Sequence, residues 1–356
     1  MRYRELGDTG LEVSEVAFGA WVVGTDWWGD RTHQDDLDLI ETALDAGINF
    51  FDTGDVYGHG DSEEIVGEAL AEHRDDVVVS TKVGYDFYNN PQAGHGELPK
   101  KIEPDWVETA LNRSLERLDF EYVDLLMLHN ANADEVDADV LETLDRLQES
   151  GRVESVGWAL GPSIGWLAEG EAAAQADVDA LQTVFNLFEQ EPGQHFLEQI
   201  GAHDANTSLL PRVPHSSGLL NEQVTPDTEL GEGDHRAHRP EEWYEAGWEK
   251  VEQLRFLENP DHGSGERTLA QASIQWLLYH DAVASVTPTF RSAADVEAWA
   301  AASDVPALSD EEYERVQSLY ADNFGIETDD GMDSLRTSVD GKDIEAAGLD
   351  KEPAVY

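Results

Sequence analysis

The chain has 356 residues, with 22 lysines and arginines against 76 aspartates and glutamates, and a formal charge of −54. Nucleic acids and anionic membrane surfaces both recruit basic residues, so this composition argues against either as a partner. Its 40% of apolar residues supports a large core, and the absence of cysteine excludes disulfides, thiolate catalysis and cysteine-ligated zinc.

Along the chain, apolar runs alternate with amphipathic ones. Val16–Trp21, Asn49–Thr53, Val77–Val83, Tyr122–His129, Val153–Leu160, Ala180–Asn186, Ser208–Pro214 and Ala282–Thr289 read as strands. Between them, Leu37, Ile40 and Leu44 share a helical face, as do Val107, Leu111, Ser114 and Leu118, and Leu141, Leu144 and Leu147. Asp61 with Glu64, Asp105 with Glu108 and Ser309 with Glu312 have the spacing of capping boxes, and Gly151 stands where a helix ends. Eight βα units in strict alternation predict an α/β fold, a (β/α)8 TIM barrel over residues 1–324 with a polar tail over 325–356. A doubly wound sheet would need a glycine-rich turn after its first strand. Here that strand runs into GAWVVGTDWWGD, with Trp21, Trp27 and Trp28 in the way.

Long connections in a barrel stand on the C-terminal face, where active sites lie. Gly84–Pro104 and Leu220–Thr268, the latter with a helix expected near Glu241–Glu258, are therefore candidate lids or plain insertions. Four polar residues end neighbouring strands on that face. NFFDTGDVYG supplies Asp52 and Tyr57, VVVSTKVG supplies Lys82, and DLLMLHN supplies His129. Alternation points Val78, Ser80 and Lys82 one way, and Leu125, Met127 and His129 one way. A buried lysine needs a counter-charge, which Asp52 can provide. The ammonium is expected to favour the phenolate of Tyr57 and so ease donation of its proton to a carbonyl oxygen, to which His129 donates a hydrogen bond. Any one of these residues alone is more often a cap, a surface group or a core histidine; four in register on three adjacent strands are not.

With these residues in place, the chain resembles the aldo-keto reductase family from RELGDTGLEVSEVAFG to about residue 321, with DTGDVYG, STKVG, LMLH, ESGRVESVG and LQTVFNLFEQ in the family's order. The resemblance implies a barrel closed at its base by an N-terminal β-hairpin and the tetrad Asp52, Tyr57, Lys82 and His129. It also implies NADP(H) or NAD(H) delivering hydride to a small aldehyde, ketone or open-chain sugar. Gly19 and Trp21 match the nicotinamide end, Gln182 the carboxamide contact, and Arg212 a variant that stacks on the ring in place of an aromatic residue. His215 and Gly218 fall in the stretch around the pyrophosphate, where backbone amides act. Pro288 aligns with the family's proline, and Arg291 is placed to grip a 2′-phosphate.

Four positions depart from the pattern. Ala159 and Leu160 replace the usual Ser-Asn carboxamide contacts, Trp299 stands where an asparagine meets adenine or else belongs to the core, and Asp295 opposes a 2′-phosphate. These changes keep open a second function, a catalytically weak cofactor-binding regulatory or sensor subunit of the same fold. No metal is expected, since His235 and His238 form the only tight histidine pair. Trp21, Trp27, Trp28, Tyr85, Phe87 and Tyr88 form either an aromatic substrate rim or lid packing. Without a signal-like N-terminus or an apolar run of about 18 residues, the protein is expected in the cytoplasm. Charge repulsion, screened over about 10 Å at 0.1 M salt but about 3 Å at 1 M, points further to a salt-rich cytoplasm and a haloarchaeal-type acidic member of the family.

Overall fold

Register between neighbouring strands decides which side chains meet at the mouth of this molecule. The computed structural model describes residues 1–25, 31–89, 98–161, 166–203, 205–229, 241–258 and 266–326. Strands β1 (Tyr3–Glu5) and β2 (Glu12–Ser14) form an antiparallel hairpin. The parallel sheet follows in chain order: β3 (Phe18–Gly19), β4 (Phe50–Asp52), β5 (Val78–Val83), β6 (Val123–His129), β7 (Val153–Ala159), β8 (Ala180–Val184) and β9 (Ser208–Arg212). The predicted eighth strand pairs by single bridges, Val283 and Thr287 to β9 and Val286 and Thr289 to the β3 side, and this closes the barrel.

Alternation along β5 sorts its two faces. Val78 joins Phe50, Leu125, Met127, Ala159, Ala180, Leu210 and Ala284 in the lumen, while Val79 and Val83 face the helical layer. Leu6 and Val13 of the hairpin plug the lumen from below. Arg4 fastens that base, donating to the carbonyls of Leu278 at 2.7 Å and Val283 at 2.9 Å and pairing with Glu15 at 3.0 Å. Scarce cations thus serve buried anchors, as Arg74 does on Asp124 and Arg267 on Glu312.

The helices on the outside are α1 (His33–Asp45), α2 (Asp61–Leu70), α3 (Pro104–Leu118), α4 (Ala138–Glu149), α5 (Leu167–Gln175), α6 (Gly193–His203), α7 (Glu241–Gln253), α8 (Leu269–Leu278), α9 (Ala293–Ala300) and α10 (Asp310–Ala321). The face of α3 carrying Val107, Leu111, Ser114 and Leu118 is buried as its spacing predicts. The capping box Ser309–Glu312 forms, and Gly151 takes φ +74° after α4. Two expected boxes do not form. Helix α2 starts from left-handed Gly60 without a side-chain cap, and α3 starts from Glu103 with Pro104, whose fixed φ suits the first helical position. Thr32–Asp35 and Thr268–Gln271 make capping boxes instead. Among the described residues no helix is long and apolar enough to cross a membrane. Trp27, Trp28, His235, His238 and nearly all of the tail 325–356 lie outside the described residues.

Candidate active site

At the C-terminal ends of β4, β5 and β6, register brings the predicted tetrad together. Gly19 pairs with Asp52 and Asp52 with Ser80, while Lys82 pairs with Met127, two residues before His129. Lys82 is fully buried, and all three of its protons have acceptors: each carboxylate oxygen of Asp52 at 2.8 Å and the Thr53 carbonyl at 2.6 Å. Ser80 adds a hydrogen bond to Asp52 Oδ1 at 2.5 Å, and the Gln182 amide nitrogen one to Oδ2 at 3.1 Å. Burial lowers the Lys82 pKa, and Asp52 counteracts it.

Tyr57 sits on a tight turn, Tyr57–Gly60, with Gly58 and His59 in left-handed conformations. A Cβ on Gly58 would run into the Gly24 carbonyl, so this turn requires glycine there. The phenol ring is edge-on to Trp21, at 5.1 Å between centroids, and to His129, at 5.8 Å; Lys82 Nζ lies 5.0 Å from its centre. The expectation that Lys82 acidifies this phenol needs correction. Burial pushes the Tyr57 pKa well up, Asp52 and Asp55 push it further, and Arg212 draws it down. The ammonium's charge is largely cancelled by the carboxylate it grips. His129 is held well below the ordinary imidazole range by burial and then by the charges of Lys82, Arg212 and Lys100, so it is neutral at pH 7 and has one N–H to donate.

Asp55 escaped the sequence reading. It is fully buried, and burial together with Glu63 raises its pKa well above the usual range, against a smaller pull from Arg117 and the Val56 N–H. A polar residue in DTGDVYG was visible, but nothing in the spacing revealed that its side chain is enclosed.

The predicted cofactor residues spread from this centre towards α9. Trp21 faces Tyr57, and Gln182 is tied to Asp52. Ala159 and Leu160 are buried, and the backbone carbonyls of Leu160 and Gly161 accept from Arg212, which fixes the guanidinium where side-chain amides are missing. A Cβ at Gly19 would lie 2.9 Å from Thr287 Cγ2 and 3.0 Å from the Pro288 carbonyl, so these strands approach too closely for any other residue. The His215 ring turns inward, 3.3 Å from the Ala270 carbonyl and 4.5 Å from the Trp299 ring, and its backbone carbonyl accepts from Gly218 and Leu220. Trp299 belongs to the core. Ser216, Ser217 and Gly218 have φ of 45°, 53° and 95°, and the N–H groups of Ser216 and Gly218 donate to the Val213 and His215 carbonyls, each at 3.1 Å. Arg291 lines a cleft of about 410 Å³ with Val22, Arg31, Gln223, Ser292 and Asp295, remote from the tetrad, which contributes nothing to its walls.

This donor set fits an extended nicotinamide dinucleotide: an amide and a flat guanidinium at one end and an arginine-lined cleft at the other. Thr287 Oγ1, buried between Gly19 and Arg212, has no hydrogen bond among the described residues and remains for a ligand. Among the described residues no three histidines or carboxylates converge as metal ligands. Of the aromatic residues in question, Trp21 and Tyr85 face the site, whereas Phe87 and Tyr88 stack on each other at 4.0 Å.

The family model for the aldo/keto reductase family matches residues 15–321. The chain is 29% identical to the aldo-keto reductase YhdN of Bacillus subtilis over 78% of its own length and 81% of that protein. It is 31% identical to a probable voltage-gated potassium channel subunit beta of Arabidopsis thaliana, over 62% of each chain. The holo form of aldo-keto reductase AKR11C1 from Bacillus halodurans superposes with a TM-score of 0.73 at 26% identity, covering 90% of this chain and 96% of that one. On this match, which spans the whole barrel and every residue of the tetrad, the chain belongs to the aldo/keto reductase family, enzymes that use NADP(H) or NAD(H).

Proposed function

We propose that the protein reduces a small aldehyde, ketone or open-chain sugar, or oxidises the matching alcohol, with Tyr57 as general acid and base. The observation that carries this reading is the packing of the Tyr57 phenol edge-on to neutral His129 with the Lys82–Asp52 pair beneath it. In the reductive direction Tyr57 gives its proton to the carbonyl oxygen, and the His129 N–H hydrogen-bonds the same oxygen and orients the carbonyl. Lys82 and Asp52 form the buried floor against which the phenol packs, and burial together with the Asp52 charge keeps the phenol's proton on until a carbonyl oxygen is there to take it. The nicotinamide, when bound, supplies the hydride to the carbonyl carbon. Gln182 and Arg212 orient its ring, the Ser216–Gly218 turn takes the pyrophosphate, and Arg291 lies at the adenosine end.

The altered carboxamide positions Ala159 and Leu160, with the resemblance to a potassium channel β subunit, support the alternative of a weakly catalytic regulatory or sensor subunit. Oxidation of NADPH and NADH by a panel of aldehydes at high salt, in wild type and Tyr57→Phe, separates the two. Loss of the phenol is expected to lower turnover about 10²–10⁴-fold. Equal rates remove Tyr57 as the acid. Absence of turnover, with cofactor still quenching tryptophan fluorescence, favours the sensor.

The charge of −54 supports placing the enzyme in a salt-rich cytoplasm, as a haloarchaeal-type member with no nucleic-acid partner and with residues 325–356 as an appendage to the barrel. Thermal unfolding in about 0.1 M and about 3 M KCl tests the salt requirement, and equal melting temperatures refute it.

A further inference from the structure

We propose that Arg117, on α3, is a positioning residue for Tyr57: its guanidinium fastens together the turn that carries the phenol and the arm of chain that walls it. This rests on the carbonyl-reductase reading above. Tyr57 stands in the connection from β4 to α2, outside any strand. The end of that connection, left-handed Gly60, lies against the stem of Arg117, where an added Cβ would fall 2.6 Å from Cδ.

From there the guanidinium reaches two further elements. On α2 it grips Glu63, which is fully buried, with Nε at 2.7 Å and Nη2 at 2.6 Å from the same carboxylate oxygen. The other oxygen of Glu63 accepts from the Thr81 hydroxyl at 2.5 Å, and Thr81 immediately precedes Lys82 on β5. On the arm that leaves β5, Tyr88 accepts from Arg117 Nη1 at 2.9 Å. Tyr88 stacks on Phe87 at 4.0 Å, and Phe87 belongs to the small apolar cluster of Val56, Tyr57, Tyr85 and Leu98. Turn, strand end and arm therefore meet on one side chain. The pair Arg74–Asp124 is built alike but stands at the opposite end of the same strands, where Arg74 donates to the carbonyls of Val77 and Tyr122, just before β5 and β6. A general acid works only within hydrogen-bond reach of the carbonyl oxygen, and a shift of about 1 Å lowers turnover by up to about 100-fold.

The test uses the full chain with NADPH or NADH and an aldehyde at high salt. Arg117→Met alone strands the Glu63 charge and can abolish folding. Combining it with Glu63→Gln leaves Thr81 its acceptor and no charge unpaired. This double variant is expected to lose about 10–100-fold in kcat with KM changed less than about 3-fold. Arg117→Lys, which keeps the ion pair, should recover most of that loss. Arg74→Met with Asp124→Asn removes the matched pair at the far end and should keep the wild-type kcat. Independently of turnover, 3-fluorotyrosine is incorporated and the Tyr57 fluorine resonance is identified by its loss in Tyr57→Phe. That resonance should shift or broaden when Arg117 and Glu63 are replaced and stay in place when Arg74 and Asp124 are. An unchanged kcat, a loss no greater than that of the far pair, or an unmoved Tyr57 resonance overturns the proposal. If no aldehyde is turned over, the carbonyl-reductase reading fails, and the fluorine resonance alone decides whether Arg117 positions Tyr57.

Discussion

Lys82 Nζ lies 2.8 Å from both carboxylate oxygens of Asp52, a pair formed across β4 and β5 and almost sealed from water. Removing one partner strands the other's charge in the interior. Lys82→Met and Asp52→Asn are each expected to cost about 3–5 kcal/mol, while the double substitution costs clearly less than the sum. Urea unfolding of the four proteins completes the cycle. Strictly additive losses show that the pair is not coupled. The double variant regains stability without regaining turnover, which separates the structural role of the pair from its support of Tyr57.

Because burial, Asp52 and Asp55 hold the Tyr57 pKa above the ordinary phenol value, the phenol stays protonated through pH 7–9. The form needed for carbonyl reduction is then fully populated, so kcat/KM for reduction shows no alkaline limb from this group below about pH 10. Alcohol oxidation needs the phenolate and should climb through the same range without a plateau. An alkaline midpoint below about pH 9 in reduction, lost in Tyr57→Phe, contradicts this ordering.

Strand-end chemistry was legible in the sequence because parallel strands in register carry their last residues to one rim: Asp52, Lys82 and His129 needed only the two-residue alternation. What linked them to the rest was not. Gln182 bonds Asp52 across 130 positions, and Arg212 is held by carbonyls, whose direction no side-chain pattern encodes. Burial of the Tyr57 phenol, and after it the charges of Asp52 and Asp55, raise its pKa where strand-end spacing alone points to the opposite, because spacing does not encode three-dimensional enclosure. The capping motifs show the same limit: spacing identified Ser309–Glu312 but also Asp61–Glu64, where a left-handed Gly60 had already set the chain's entry into α2.

At the far end of the cofactor track, Asp295 Oδ2 accepts from the Arg291 backbone at 2.9 Å and Oδ1 from Gln223 at 3.3 Å, which keeps a carboxylate in the cleft that Arg291 lines. That negative charge works against a 2′-phosphate, and Arg291 works for it. Asp295→Asn is expected to raise the NADPH-to-NADH ratio of kcat/KM about tenfold, roughly the effect of one screened charge at a protein surface. Arg291→Met should move it the opposite way. If neither substitution changes the ratio, the cleft does not read the phosphate.

His215 links the cofactor turn to acid stability. Buried between the Ala270 carbonyl and the Trp299 ring, it is held down to about 3 against an ordinary value of 6.5. A histidine buried neutral charges more readily when unfolded, so its contribution is complete above about pH 6.5 and drains away as pH falls towards 3. At about 1.4 kcal/mol per pH unit, lowering the pH to 5 costs about 2 kcal/mol through this residue. In His215→Gln, which keeps a donor for Ala270, the stability difference between pH 7 and pH 5 should shrink by about that amount. Urea midpoints of both proteins at the two pH values measure it, and parallel losses in wild type and variant show that acid sensitivity arises elsewhere, with His280, held to about 4 by burial, the next group to replace.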